Sequence, residues 1–149
     1  MAGLSANSEK LVTEFFREYL GEPDFVLPRV VFATGATAGM TVRLLGVRGI
    51  TIGRFVVVAP GLPGLDASGA KLPRDLVVHE IAHVIQYRSN GFFRFLYVYF
   101  RDYLGNLKKE GGARRKARHA AYLAIPFEIE ARQTAREFER WLDERNRLS

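Results

Sequence analysis

Three side chains in one short stretch have the types and spacing to do chemistry: His79, Glu80 and His83, within Leu76-Val77-Val78-His79-Glu80-Ile81-Ala82-His83-Val84-Ile85. No helix breaker interrupts the stretch. On a helix of about 100° per residue the two histidines lie roughly 40° apart and one turn up. Both imidazoles then reach one ion, while Glu80 points to the side of the pair, placed to take a proton from a water on that ion without becoming a ligand. Chance is a poor explanation, since roughly one chain in two hundred of this composition would carry the motif by accident. The bland alternative is a pair of core histidines kept for packing, which demands separate partners for two imidazoles and a carboxylate.

The chain has no cysteine, so disulfides and thiolate metal sites are excluded and a metal must be held by His and carboxylate groups; Zn2+ is the expected ion. A zinc site of this kind needs a third protein ligand. A histidine six residues beyond His83, with a glycine between, would mark one class, but the positions there are Gln86 and Ser89. His119 ends a basic stretch and reads as solvated. Better candidates are Glu128 and Glu130 in Ile125-Pro126-Phe127-Glu128-Ile129-Glu130-Ala131-Arg132. Each sits roughly 80° from the centre of the apolar stripe of the last helix, on opposite shoulders. Ala124, Ala131 and Ala135 lie on the Glu128 side, where small residues permit close helix approach, which favours Glu128 over Glu130. Two solvated helix-start carboxylates are the plain alternative.

The elements that must position these groups follow from periodicity. Leu11, Val12, Phe15, Phe16, Tyr19 and Leu20 predict an amphipathic helix after a polar cap, stopped by Gly21 and Pro23. Arg29 to Thr34 predicts a short strand. Ala36 to Leu45 fits a short helix slightly better than a strand. Gly49 to Ala59 predicts a hairpin turning at Gly53-Arg54. A Pro/Gly-rich loop from Pro60 to Gly69 leads to the motif helix, about Pro73 to Asn90. The aromatic segment Phe92 to Leu104, helical or extended, is expected to be at least half buried. A basic loop, about residues 105–121, precedes a final helix from about Ile125 to Arg145 with the stripe Phe127, Ala131, Thr134, Phe138, Trp141 and Leu142. The whole reads as a single α+β domain over residues 1–149: N-terminal helix, small sheet, motif helix, C-terminal glutamate helix.

The net charge of +6 raises the question of a polyanionic partner. Six of the eleven residues from Lys108 to Arg118 are basic, and aromatics are not interleaved among them, so a solvated loop is expected rather than a specific nucleic-acid site. No basic-then-apolar leader opens the sequence and no apolar run is long enough to span a bilayer. A soluble chain in the cytoplasm is expected, with export by a non-classical injection system as a further possibility.

The His-Glu-x-x-His helix and the downstream Glu128-x-x-Ala131 resemble the zincin superfamily, and within it the gluzincins, whose third ligand is a Glu on a separate helix. More narrowly, Gly49-Ile50-Thr51-Ile52-Gly53, the stretch Val78 to Tyr87, and Pro126-Phe127-Glu128-Ile129-Glu130-Ala131 are similar to a bacterial zincin-like domain that accompanies extracellular contractile injection systems. The resemblance implies a minimal gluzincin-like fold and covers roughly Arg29 to Ala135. Related families place an Asp after the Glu-x-x-Ala group to support a ligand His; Arg132 stands there, leaving Glu130 or Gln133 to substitute.

The expectation is a zinc metalloendopeptidase-like domain. Zinc on His79, His83 and Glu128 activates a water, Glu80 is the general base, Tyr122 donates to the oxyanion, and the edge of Phe55 to Ala59 aligns an extended peptide or protein substrate. The alternative is a weakly active or inactive module that docks within a larger secreted assembly, with the aromatic segment as its interface.

Overall fold

The computed structural model describes residues 3–33, 49–58, 64–67, 70–112 and 114–148. Helix α1 (Ala6–Leu20) begins where the Ser5 side chain accepts from the Ser8 N–H and ends at Gly21, whose left-handed φ of 67° lets its N–H turn back to the Arg17 and Glu18 carbonyls. It buries Val12, Phe15 and Phe16. Strands β1 (Val31–Ala33), β2 (Gly49–Ile52) and β3 (Phe55–Val58) form a sheet in the order β1-β3-β2, with β1 parallel and β2 antiparallel to β3. The β2–β3 turn falls at Gly53, φ 61°, as its sequence predicts. Its neighbour in the chain is a second hairpin of β4 (Gly64–Ala67) and β5 (Ala70–Pro73).

Helix α2 (Arg74–Asn90) carries the motif and has no single wet face: from Leu76 to Tyr87 every residue except Ile85 is buried, as befits a helix at the centre of a domain. Helices α3 (Phe92–Lys109), α4 (Arg115–Leu123) and α5 (Pro126–Leu148) follow. Among the described elements α5 has its most extensive packing along α2, and β2 lies against α2 as well. The core joins Phe16, Phe32, Val56, Leu72, Val77, Ile81 and Phe138; each large side chain fully withdrawn from water contributes roughly 1.5–3 kcal/mol. Phe15 meets Phe138 edge-on at 5.1 Å, and Trp141 donates to Glu18 at 2.7 Å, which fixes α5 against α1.

The fold is the expected small α+β arrangement of N-terminal helix, sheet, motif helix and glutamate helix. Four local expectations change. The stretch from Gly64 to Pro73, read partly as loop, pairs as β4 and β5, because Leu65 and Leu72 are both buried on one face. The segment 105–121 is mostly helical, α3 running to Lys109 and α4 starting at Arg115. The aromatic segment is a helix with Phe95 as its one fully buried residue; Phe93, Tyr97, Phe100 and Leu104 are exposed. Finally, β3 is the central strand, paired on both sides, so Phe55 to Val58 offers no free edge. Among the described residues β2 is the edge nearest the site. The short helix expected for Ala36 to Leu45 lies outside the described residues.

Candidate metal centre

His79, Glu80 and His83 project from buried turns of α2, and α5 brings Glu128 onto them. The His79 and His83 Nε2 atoms are 3.2 Å apart. Glu128 places Oε2 3.2 Å from His79 Nε2 and Oε1 3.1 Å from His83 Nε2. All three side chains are buried, and together they form a group able to hold a metal ion. Glu130, the other candidate, faces away from the group: its Oε2 accepts from Gln86 Nε2 at 2.8 Å. Glu128, on the shoulder that carries the alanines, is the carboxylate that meets the histidines, and Ala131 and Ala135 are buried beside it.

Gln86 fixes the protonation pattern. Its Nε2 donates to the Phe127 carbonyl at 3.1 Å and to Glu130, so its Oε1, 2.8 Å from His83 Nδ1, is an acceptor and His83 Nδ1 carries the hydrogen. In the neutral ring, the form that binds a metal, His83 Nε2 then turns its lone pair towards His79 and Glu128. Glu128 Oε2 is itself buried without a hydrogen bond. With His79 in the tautomer that turns its Nε2 lone pair the same way, the three groups would share a cation at these separations. The distances are close to the edge of a tetrahedron whose ligands stand about 2.0–2.1 Å from its centre, roughly 3.3 Å. The residues present therefore fit a metal.

The electrostatics follow the same demand. Burial lowers the pKa of His83, but the bond and charge of Glu128, the charge of Glu80 and the Gln86 bond outweigh it and hold the ring towards its protonated form. Burial works to raise Glu128, yet the close approach and charges of His79 and His83 keep it well below the usual carboxylate range. Glu80 goes the other way, pushed up chiefly by burial, against the pull of both histidines and Thr51. Two carboxylates in one site are thus driven apart.

Glu80 stays out of the ligand group and is held from the sheet. Thr51 Oγ1 donates to Glu80 Oε2 at 2.5 Å. A Cβ on Gly49 would stand 2.3 Å from Glu80 Oε1, so only glycine lets β2 pass this close. Tyr87, about two turns further along α2, donates to the Thr51 carbonyl at 3.4 Å. The Gly-x-Thr-x-Gly pattern is explained position by position: Gly49 for approach, Thr51 for the bond, Gly53 for the turn.

Two tyrosines stand over Glu128. Tyr99 on α3 donates to Glu128 Oε1 at 2.8 Å, and Tyr122 on α4 lines the same cleft close enough to feel the charge of Glu128. Burial, followed by the charge of Glu128, pushes both phenols up, which keeps them as donors. A cleft of about 360 Å³ is lined by Thr51, Glu80, His83, Phe95, Tyr99, Tyr122 and Glu128, among others. His119 lies outside it, exposed and stacked on Tyr122 with ring centroids 6.5 Å apart. Arg132, at the position where related families place an Asp, puts Nη1 3.8 Å from Glu128 Oε2 and bonds the Leu123 carbonyl. Support for His83 comes from Gln86 and Glu130 instead.

The family model described as the eCIS core domain matches residues 12–91. The chain belongs to this family. The match runs from α1 through the whole of α2 and so takes in the β2–β3 hairpin, His79, Glu80 and His83, but stops before Glu128. Membership associates this eCIS core domain with extracellular contractile injection systems. No curated protein and no solved structure matches the chain. Among the described residues no helix is long and apolar enough to cross a membrane.

Sequence reasoning missed Thr51, Gln86 and Tyr99 as parts of the site. Gln86 had a signal, since three residues after His83 on a helix is a neighbouring position. Tyr99 had none within a run so dense in aromatics.

Proposed function

We propose that this eCIS core domain is a zinc-holding module of an injection-type assembly, with His79, His83 and Glu128 as ligands. The observation that supports the ion is the buried convergence of two imidazole nitrogens and a carboxylate whose Oε2 has no hydrogen bond. Two imidazoles with one carboxylate suit zinc in a chain without cysteine. The family supports the assembly role. Metal analysis of the purified chain tests the first part: about one zinc per chain is expected, lost in Glu128→Ala with His79→Ala. A chain that takes up no zinc from a buffered supply sinks the reading. Presence of the chain in purified injection particles tests the second.

A second reading, hydrolysis of peptide bonds by a zincin-like site of the gluzincin kind, is favoured by one specific observation. Glu80 and Tyr122 line the same cleft as His83 and Glu128, and Glu80 is not among the ligands. Zinc, when bound, supplies a Lewis acid and lowers the pKa of water. Glu80, kept proton-hungry by burial and oriented by Thr51, takes a proton from water and returns it to the leaving amine. Tyr122, held protonated, donates to the carbonyl oxygen as charge develops there. The edge of β2 aligns the extended substrate by main-chain bonds. Glu80→Gln should abolish cleavage of a broad peptide library while zinc content stays unchanged. A zinc-loaded chain that cuts nothing leaves the module reading alone.

A further inference from the structure

Helix α3 turns one wall to the metal centre and leaves another bare. Phe95 is buried and Tyr99 reaches Glu128, whereas Phe93 is 83% exposed, Tyr97 67%, Phe100 57% and Leu104 60%. These four are separated by steps of four, three and four residues, the spacing of a coiled-coil seam. On a helix of about 100° per residue they fall within roughly 60° of one another. Along one border of the seam, about 60–100° round the helix, run Arg94, Arg101 and Lys108, one per heptad and all exposed. Arg101 is bonded to Asp102 at 2.9 and 2.7 Å, yet its side chain is still 57% exposed. Leu96 and Tyr103 form the opposite border.

Charge says what should cover this face. Residues 92–118 hold eight basic and two acidic side chains, net +6, which equals the net charge of the whole chain; the remaining 14 basic and 14 acidic residues cancel. The excess is therefore concentrated on α3 and the residues that follow it. An apolar seam of helical period, bordered by basic residues at the same period, is complementary to another helix with carboxylates along the matching edge.

We propose that α3 is a docking helix whose occupant is an amphipathic helix of a partner protein, apolar along one stripe and acidic along the edge that meets Arg94, Arg101 and Lys108. This deepens the assembly reading by naming the surface used and the chemistry of the partner. A second copy of the chain is the poorer occupant. Antiparallel copies would set the basic line against itself, and parallel copies would set it against Leu96 and Tyr103, which carry no charge. A lipid surface has no counterpart to the seven-residue repeat. Phe100 also lines the cleft, so the occupant borders the approach to His83 and Glu128.

The test uses the full chain with two synthetic peptides of about four heptads, both with Leu along the seam, one with Glu and one with Lys at the flanking positions. The Glu peptide is expected to bind, and the Lys peptide to bind roughly tenfold more weakly or not at all. Arg94→Glu with Arg101→Glu and Lys108→Glu should invert that preference. Phe93→Ser with Tyr97→Ser should remove binding to either. All five positions are exposed, and circular dichroism together with zinc content on the same preparations shows that fold and metal site are intact. Equal binding of both peptides, binding of neither, or charge reversal without effect overturns the proposal. So does capture of the chain by vesicles of phosphatidylcholine with about 30% phosphatidylglycerol when the Glu peptide fails, or self-association that persists in the charge-reversed variant. Lost peptide binding with zinc retained removes the docking helix and leaves the metal reading; peptide binding intact in a chain absent from injection particles removes the assembly reading alone.

Discussion

Thr51 and Glu80, 29 residues apart, meet through a 2.5 Å hydrogen bond that ties the edge strand to the buried motif helix. The bond holds a carboxyl that burial has made reluctant to ionise. Thr51→Val keeps the shape and removes the donor, leaving a buried oxygen with one partner fewer. A loss of about 1–3 kcal/mol in urea unfolding is expected, with Thr51→Ser close to the parent. A valine variant as stable as the parent would show that Glu80 finds another donor.

Gly49 gives a sharper test of the same contact. Gly49→Ala drives a methyl to 2.3 Å from Glu80 Oε1, so side chain or strand must shift, at a cost of roughly 1–3 kcal/mol. In a Glu80→Ala background the same change should cost much less, and a double-mutant cycle measures the difference. Additive effects would mean that strand and helix part without regard to this pair.

Gln86 touches no ion in any reading, which makes it informative. It orients His83 through a 2.8 Å contact to Nδ1 and is itself anchored by Glu130. Gln86→Leu should weaken zinc binding about 10–100-fold in competition with a chelating dye. Glu130→Gln should have a smaller effect, because the Phe127 carbonyl still holds the amide. Equal loss in both variants would assign the anchoring to Glu130.

Metal removal should be felt as stability. At free zinc about 100 times its dissociation constant the folded state gains about 2.7 kcal/mol. Chelation should therefore lower the melting temperature of the parent chain. In Glu128→Gln, where the third donor is lost, chelation should change it far less. A parent chain that melts at one temperature with and without zinc would remove the ion from the fold.

Much of this was legible in the sequence where one local rule decided. The motif helix, the Gly53 turn and the choice of Glu128 over Glu130 each follow from spacing, a left-handed turn or the position of small residues. The rest depends on contacts distant in sequence. Nothing near Tyr99 says that it reaches Glu128, and nothing in Phe55 to Val58 says that β1 pairs along its other side. Composition also misled. The aromatic density of α3 argued for burial, although Phe93, Tyr97, Phe100 and Leu104 lie on the side turned away from Phe95 and Tyr99. The Pro/Gly content before α2 hid a hairpin that rests on two leucines.

The site's donors do not leave the ribosome together. His79 and His83 emerge with α2, whereas Glu128 follows only after α3 and α4 have been made, on the helix that also bonds α1 through Trp141 and Glu18. A nascent chain that has just completed the family-matched region therefore holds two imidazoles and a buried-to-be carboxylate with no third donor. Completion of the group able to hold a metal is therefore a late event in synthesis, and it marks a chain whose last helix has come home.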